Sequence, residues 1–294
     1  MAWTGKISST TDPTLIIQTP VDQIVRVGKR APVDVDVIIL SNTQLINTLD
    51  GDVVKLICKN LTIDNGFTLT TLNRCNGLII HVEGDLTLNG SISMTSRGST
   101  NSSPSNVNIY DPCTNDLLCT IPSSGGQGGF FGSPHGWPGI GRGTGGGGSA
   151  TNGYNAGTGT AYSGGSGSGC SQGATGGGKG GDGCGSGAGN PPGTPSGTYG
   201  TSGGTGNGGL LVINVKGNIL IGSNGIICAD GSDGGGNYGP YSDGGGGSGG
   251  GSVNIFHTGT YTNNGTIRAN GGQGGVADHH GGNGGNGCIT ITQL

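Results

Sequence analysis

The residue types that could carry out acid–base chemistry are sparse in this sequence. It contains one glutamate, Glu83, and 15 scattered aspartates. Glycoside hydrolysis needs two carboxylates held at a defined separation, and no pair here stands apart from the others. Aspartates in turns usually cap the nearby backbone, and that role is expected at Asp50, Asp52, Asp64, Asp85, Asp230 and Asp233. The sequence therefore predicts no catalytic residue and no enzyme.

Three patterns could bind an ion or a cofactor, and each is incomplete. Residues 177–185, GGKGGDGCG, fit one copy of a calcium-binding nonapeptide, but that motif needs tandem copies to share each ion. Asp278, His279 and His280 are adjacent, without an evident further ligand. Gly-x-Gly-x-x-Gly matches are inevitable in this composition, and no helix follows to bind a phosphate. The eight cysteines contain no Cys-x2-Cys pair, so we expect no metal and no cofactor.

Aromatic residues have an informative distribution. Eight of the 13 lie in three glycine-rich windows, defined below. They could fill gaps over the glycine segments, or form rigid platforms that stack on sugars or contact a protein. Both interpretations stay open. On the second one, the receptor-contact candidates are Phe130, Phe131, Trp137, Tyr154, Tyr162, Tyr199, Tyr238 and Tyr241, with His279 and His280 from the last window.

The composition excludes several classes of protein. Of 294 residues, 72 are glycine, only 30% are hydrophobic and 10% are charged. Globular domains average about 45–50% apolar and about 25% charged residues, so a large helical core is excluded. No strict Gly-X-Y period indicates collagen. The net charge of −4 argues against nucleic-acid binding, and the absence of a long apolar stretch argues against membrane insertion.

The glycines are concentrated in three windows. Residues 125–209 contain 38 glycines in 85 positions, residues 232–251 contain 11 in 20, and residues 271–287 contain 9 in 17. A flexible linker is one interpretation. The other is an ordered bundle of polyglycine-II-type helices, with three residues per turn and lateral backbone hydrogen bonds. The aromatic residues and the strand motifs that flank each window favour the ordered bundle.

The remaining sequence repeats. Residues 77–98, 209–231 and 251–271 share an alternating strand, a glycine turn, a short strand, an Asn-Gly or equivalent turn and a final strand. Residues 53–76 resemble a degenerate copy, and residues 287–294 match the start of the unit. Self-similarity at this period is typical of solenoids. The sequence predicts an all-β fold, with short parallel β-helix or β-solenoid rungs interleaved with polyglycine-II-type helices and no substantial α-helix.

Four regions follow from these patterns. Residues 1–52 have ordinary composition and strand-like runs, and form either an attachment module or the N-terminal cap of the solenoid. Residues 53–98 are the first rungs, residues 99–208 the long glycine-rich insertion, and residues 209–294 further rungs with short insertions.

A family resemblance adds to this interpretation. Residues 60–98, NLTIDNGFTLTTLNRCNGLIIHVEGDLTLNGSISMTSRG, resemble a segment of glycine-rich structural proteins of tailed phages and prophages. The glycine windows are similar to the tail-fibre-tip adhesins of T-even-type phages. That resemblance implies polyglycine II helices whose end loops contact a host receptor. It brings no catalytic residues.

The leading expectation is a non-enzymatic virion protein, a rigid component of a tail fibre, tail tip or particle surface with a role in receptor binding. Its expected partners are other virion proteins or copies of itself, and a host-surface glycan or outer-membrane protein. It would assemble in the host cytoplasm and be extracellular in the released virion. The alternative is a self-assembling extracellular filament or matrix protein of a microbe. An ice-binding protein and a polysaccharide depolymerase rank below these.

Overall fold

The computed structural model describes residues 35–99, 101, 106–122, 160–163, 206–234, 247–275 and 282–294, and the backbone of two strands at 14–17 and 23–25. Regular structure in these residues consists of β-strands, with no helix. No helix in this part of the chain is therefore long and apolar enough to cross a membrane. The prediction of an all-β fold is confirmed for the described residues.

Most strands are short and belong to three parallel sheets. Sheet 1 contains, in spatial order, β1 (Thr14–Ile17), β3 (Asp36–Ile39), β6 (Leu61–Ile63), β9 (Leu86–Leu88), β14 (Ile219–Ile221) and β17 (Tyr261–Asn263). Sheet 2 contains β2 (Gln23–Val25), β4 (Thr43–Leu45), β7 (Thr68–Thr71), β10 (Ser91–Ser93), β15 (Ile226–Cys228) and β18 (Thr266–Arg268). Sheet 3 contains β5 (Val54–Cys58), β8 (Leu78–Val82), β13 (Leu210–Val215), β16 (Ser252–His257) and β19 (Cys288–Gln293).

A separate antiparallel hairpin joins β11 (Val107–Tyr110) to β12 (Leu117–Ile121). It lies within the predicted glycine-rich insertion, in the part that precedes the first glycine window. The repeat pattern of the sequence does not predict this hairpin.

The chain passes through the three parallel sheets in a fixed order. From β3 onward, each circuit adds one strand to sheet 1, then to sheet 2, then to sheet 3, and only the hairpin interrupts this order. Every pairing within the three sheets is parallel. Strands β3 and β4 belong to the same sheets as the later strands, so two of the sheets extend across the boundary predicted at residue 52.

The same position of each strand stacks from one circuit to the next. In sheet 3 the aligned residues are Leu56, Ile80, Ile213, Ile255 and Ile291. Sheet 2 has an equivalent ladder of Leu69, Ile92, Ile227 and Ile267. The ladder side chains that point inward pack together in one apolar core between the three sheets. Alternating apolar residues therefore serve two contacts at once, along the ladder and across the core.

A polar ladder runs along the turns from sheet 3 to sheet 1. Asn60 Nδ2 donates to Asp36 Oδ1 at 2.7 Å, and Asn60 Oδ1 accepts from the Asp85 amide at 2.7 Å. Asp85 Oδ1 accepts from the Asn218 amide at 2.7 Å, and Asn218 Oδ1 accepts from the Thr260 amide at 2.9 Å. Each side chain thus caps the turn of the neighbouring circuit, and the ladder opposes slippage of one circuit against the next.

We expect Ile213→Ala to lower the free energy of unfolding by about 2–5 kcal/mol, because it removes a fully buried side chain from the middle of the sheet 3 ladder. Leu220→Ala is the control, since Leu220 is a large apolar residue that is 43% exposed on sheet 1. Urea unfolding measures both. Equal losses in the two variants would contradict the assignment of the core.

Candidate functional site

The glycine-rich insertions share one position in the fold. They lie between β10 and β13, between β15 and β16, and between β18 and β19, which is the passage from sheet 2 to sheet 3 in each circuit. In the two preceding circuits the same passage takes only residues 46–53 and 72–77. We call the described ends of the insertions the glycine corner: residues 94–99, 229–234 and 269–275 leave sheet 2, and residues 206–209, 247–251 and 282–287 return to sheet 3.

Neighbouring segments of the glycine corner are joined by backbone hydrogen bonds. Among the leaving segments, Gly231 N donates to Asn270 O at 2.8 Å, and Gly234 N donates to Gln273 O at 2.7 Å. Among the returning segments, the Gly247 and Gly250 amides donate to the carbonyls of Gly282 and Gly285, both at 2.9 Å. In each case the donors and the acceptors advance by three residues in the same direction, so these neighbours are parallel.

Leaving and returning segments are also bonded to each other. The Ser248 and Gly251 amides donate to Ser232 O at 2.9 Å and to Ala229 O at 2.7 Å. The Gly284 and Gly287 amides donate to Gly272 O at 2.9 Å and to Ala269 O at 2.6 Å. Here the residue numbers of the acceptors fall by three as those of the donors rise by three, so these neighbours are antiparallel. A β-strand bonds one neighbour at every second residue, whereas these segments bond a given neighbour at every third residue.

One returning segment shows the full extent of the network. Residues 247–251 exchange backbone hydrogen bonds with residues of four other segments, through Gly208, through Ala229 and Ser232, through Gly272, and through Gly282 and Gly285. The whole segment is buried. A β-strand has two lateral neighbours, so this arrangement is a lattice rather than a sheet.

The lattice leaves no room for side chains at several glycines. A Cβ on Gly250, Gly272, Gly284 or Gly287 would collide with the carbonyl oxygen of Ala269, Ser232, Ser248 or Gly251, respectively. The glycine content of the corner is therefore a requirement of close packing between segments.

Asx side chains of the glycine corner accept hydrogen bonds from backbone amides of neighbouring segments. Asp230 Oδ1 accepts from the Asn270 amide at 2.8 Å, and Asp233 Oδ1 accepts from the Gln273 amide at 2.7 Å. Of the turn aspartates considered above, Asp64 bonds its own neighbour, the Asn65 amide, at 2.8 Å, as expected. Asp230 and Asp233 bond a neighbouring segment instead, because parallel stacking brings the amides of the next circuit within reach.

Nine of the ten receptor-contact candidates lie outside the described residues, as does the calcium-like stretch at 177–185. The one described candidate is Tyr162, in a short segment bridged to Gly209 through Ser163. Its ring is partly buried against a second apolar cluster that contains Ile79, Ile109, Ile121, Ala161, Leu210, Val212 and Phe256. Tyr162 thus takes part in packing.

The hairpin β11–β12 packs on the outer face of sheet 3. Ile109 and Ile121 from the hairpin meet Ile79 from β8 and Val212 from β13 in the second apolar cluster. Beside this contact lies a polar group that we call the hairpin cluster. It consists of His81 and Glu83 at the end of β8, Asn214 and Lys216 at the end of β13, and Asp111 and Cys113 from the hairpin turn.

Asp111 is the centre of the hairpin cluster, and its side chain is fully buried. Its Oδ2 lies 2.6 Å from Lys216 Nζ and accepts from Asn214 Nδ2 at 2.9 Å. Its Oδ1 accepts from the amides of Cys113 and Thr114 at 2.8 and 3.2 Å. Burial alone would raise the pKa of Asp111, but these hydrogen bonds outweigh burial and hold the pKa well below its usual range.

His81 is fully buried between two partners. Its Nδ1 lies 3.0 Å from Asn214 Nδ2, which can only donate, so Nδ1 accepts and the ring proton is assigned to Nε2. The Nε2–H group donates to Glu83 Oε1 at 2.7 Å. This bond lowers the pKa of Glu83.

Cys113 is the third member of this group, and its thiol bonds the Glu83 carboxylate. Burial, followed by the bond and the negative charge of Glu83, raises the pKa of Cys113 to about 11. The thiolate is the nucleophilic form of cysteine, and almost none is present at neutral pH. The cluster therefore does not contain an activated nucleophile.

Sequence reasoning did not find the hairpin cluster, because its members lie far apart along the chain and on both sides of the first glycine window. The alternation of Val107 and Ile109 and the mostly apolar segment at 117–121 were signals for the hairpin. No rule of sequence spacing connects the hairpin residues to His81.

Comparison with models of protein families, with curated proteins and with solved structures gave no match to this chain. The geometry of the glycine corner and of the hairpin cluster is therefore the basis for a proposed function.

Gly272→Ala should destabilise the glycine corner by about 1–3 kcal/mol, because the added methyl group collides with the Ser232 carbonyl. Hydrogen exchange should then be faster at the amides of residues 247–251 and 282–287. Gln273→Ala is the matched control, since the neighbouring side chain is exposed and its loss should leave exchange unchanged. Unchanged protection in Gly272→Ala would contradict the close packing.

Because the pKa of Asp111 is lowered in the native state, we expect the protein to lose stability in acid. The pKa of Asp111 lies below its unfolded value of about 3.9, so the native state binds fewer protons than the unfolded chain. The contribution of ionised Asp111 to the free energy of unfolding is therefore complete at pH values above the unfolded pKa. It is lost as the pH falls through the native pKa. We expect Asp111→Asn to lower the free energy of unfolding by about 1–3 kcal/mol at pH 7, with a smaller difference from the parent at pH 3.

Urea unfolding at the two pH values measures this difference. Asp116→Asn, an exposed carboxylate in the same hairpin turn, should keep the acid dependence of the parent protein. A pH-independent effect of Asp111→Asn would show that the charge of Asp111 does not stabilise the hairpin.

Proposed function

We propose that this chain is a non-enzymatic structural protein of a phage particle. It would form a rigid part of a tail fibre, a tail tip or the particle surface, with a role in receptor binding. The observation that carries the proposal is the lattice of the glycine corner, in which backbone hydrogen bonds recur at every third residue between several segments at once. Such a lattice suits a rigid projection.

The proposal includes a parallel β-helix as the trunk. The fixed order of passage through three parallel sheets and the uninterrupted Leu and Ile ladders support it. Each circuit of a solenoid buries its apolar face only against the neighbouring circuits. The trunk would then hold the three insertions one above another.

The proposal also includes polyglycine II helices that extend from the glycine corner into the insertions. A helix of this type has three residues per turn and no internal hydrogen bonds, so its backbone must bond to neighbouring helices. The spacing of three and the bonds to four neighbours support this geometry at the ends of the insertions. Glycine loses more conformational entropy on ordering than any other residue, and only lateral bonds on several sides can offset that loss.

A projection of this kind gives the aromatic residues a role. Trp137, Tyr154 and Tyr199 belong to the longest insertion, and Tyr238 and Tyr241 to the second. Rings carried on rigid glycine segments would present flat apolar faces to a host-surface glycan or an outer-membrane protein. The partners on the particle would be other virion proteins or further copies of this chain.

A specific observation favours the alternative, a self-assembling microbial filament or matrix protein. Strand β19 is the last strand of sheet 3, and within the described residues it pairs only with β16. Its residues Ile289 and Ile291 continue the inner ladders of Val253 and Ile255, and they are 42% and 44% exposed. An edge strand of this kind can template pairing with another chain.

Immunogold electron microscopy distinguishes the two functions. Antibodies against the purified chain should label a fixed position on phage particles released by the strain that encodes it. The control is a lysate of the same strain after deletion of the chain, in which the label should disappear. Labelled filaments without labelled particles would overturn the virion proposal in favour of the alternative.

A further inference from the structure

We propose that His81, Glu83 and Cys113 bind a divalent transition-metal ion, with Zn²⁺ as the best fit. The imidazole nitrogen, the carboxylate oxygen and the thiol sulfur all lie within 4.8 Å of one another. They come from two elements distant in sequence, the end of β8 and the turn of the hairpin. The ion would fasten the hairpin to sheet 3.

The distances suit a tetrahedral ion after a small adjustment. Zinc bonds of about 2.0–2.3 Å at tetrahedral angles place neighbouring donor atoms about 3.4–3.6 Å apart. His81 Nε2 and Glu83 Oε1 are 2.7 Å apart as a hydrogen-bonded pair, so they must separate by less than about 1 Å. The Glu83 side chain is 36% exposed and is free to rotate by that amount, whereas His81 is fixed by burial.

The donor set selects the kind of metal. Thiolate and imidazole are ligands of Zn²⁺ and its transition-metal neighbours, whereas Ca²⁺ and Mg²⁺ take oxygen ligands. Three protein ligands would leave a fourth position to water. A hard cation should therefore not compete for this site.

The protons balance when the ion binds. The Cys113 S–H bond breaks, its proton passes to solvent, and the sulfur electron pair forms the bond to the metal. The His81 Nε2 proton also leaves, and Nδ1 takes up a proton, so the imidazole stays neutral. Glu83 is already ionised. The net release is one proton for each ion bound.

The buried amide of Asn214 supplies a second, independent observation. A metal-bound histidine usually donates its other ring N–H group to a nearby acceptor. Asn214 is fully buried, and its Oδ1 has no hydrogen-bond partner while its Nδ2 contacts His81 Nδ1. Rotation of the amide would turn Oδ1 towards the new Nδ1–H group. Asp111 would keep its bonds to Lys216 and to the two backbone amides.

Titration of the full chain with Co²⁺ after treatment with a chelator tests the site. One equivalent should produce thiolate-to-Co²⁺ charge-transfer absorption in the near ultraviolet, together with the visible bands of a tetrahedral ion. One equivalent of Zn²⁺ should remove these bands, and excess Mg²⁺ should not. Zn²⁺ at a hundred times its dissociation constant should raise the melting temperature by about 5 °C or more.

Variants locate the ion. Cys113→Ser should abolish the charge-transfer band, and Glu83→Gln should weaken Co²⁺ binding at least tenfold. Cys288→Ser is the matched control, because Cys288 is a partly exposed cysteine on β19, and it should leave the band unchanged. His279→Ala combined with His280→Ala should also leave the band unchanged. Far-ultraviolet circular dichroism confirms that each variant is folded.

Asn214→Ala tests the positioning role of the amide. Loss of such a partner should weaken Co²⁺ binding by about tenfold to a hundredfold while the charge-transfer band persists at saturation. The proposal is overturned if no charge-transfer band forms, if the band survives Cys113→Ser, or if the histidine pair variant abolishes it.

Discussion

Backbone hydrogen bonding is the constraint on which the structure depends. A glycine-rich segment has few side chains with which to shield its N–H and C=O groups, so a buried segment must find most of its partners in neighbouring backbone. The glycine corner meets this demand because three insertions leave and return at the same passage of successive circuits. Stacked sheets place the segments side by side, and the segments then bond one another on several sides.

The ladders of the three sheets supply the register that the glycine corner needs. A shift of one residue in sheet 3 would turn Ile213 outward and Asn214 inward. Asp85 and Asn218 oppose slippage from the turns, since each side chain accepts a hydrogen bond from a backbone amide of the neighbouring circuit. Asp230 and Asp233 continue the same pattern into the glycine corner. The apolar ladders and the Asx ladders thus fix the register of the segments that lead into and out of the insertions.

Much of this arrangement could be predicted from the sequence, because strand alternation and repeat period are local properties. The copies at 77–98, 209–231 and 251–271 predicted parallel stacking, and the sheets pair the corresponding strands. The hairpin at 107–121 was missed because its single copy carries no repeat signal. The cluster of His81, Asp111 and Asn214 was missed for a different reason: the hairpin brings Asp111 onto sheet 3 by folding back over it, and no pattern in the chain encodes that contact. Polyglycine II geometry stays a prediction.

The position of the insertions has a consequence for how such a chain can diversify. Because the leaving and returning segments end at the same corner, the length of an insertion is independent of the sheets that carry it. The lateral bonds recur every three residues, so adding or deleting residues in threes on both arms of an insertion keeps its donors opposite their acceptors. Natural variants should therefore differ in the length of their insertions by multiples of three residues on each arm, while the strands stay constant. Selection can therefore change the length of the insertions without changing the strands or their pairing.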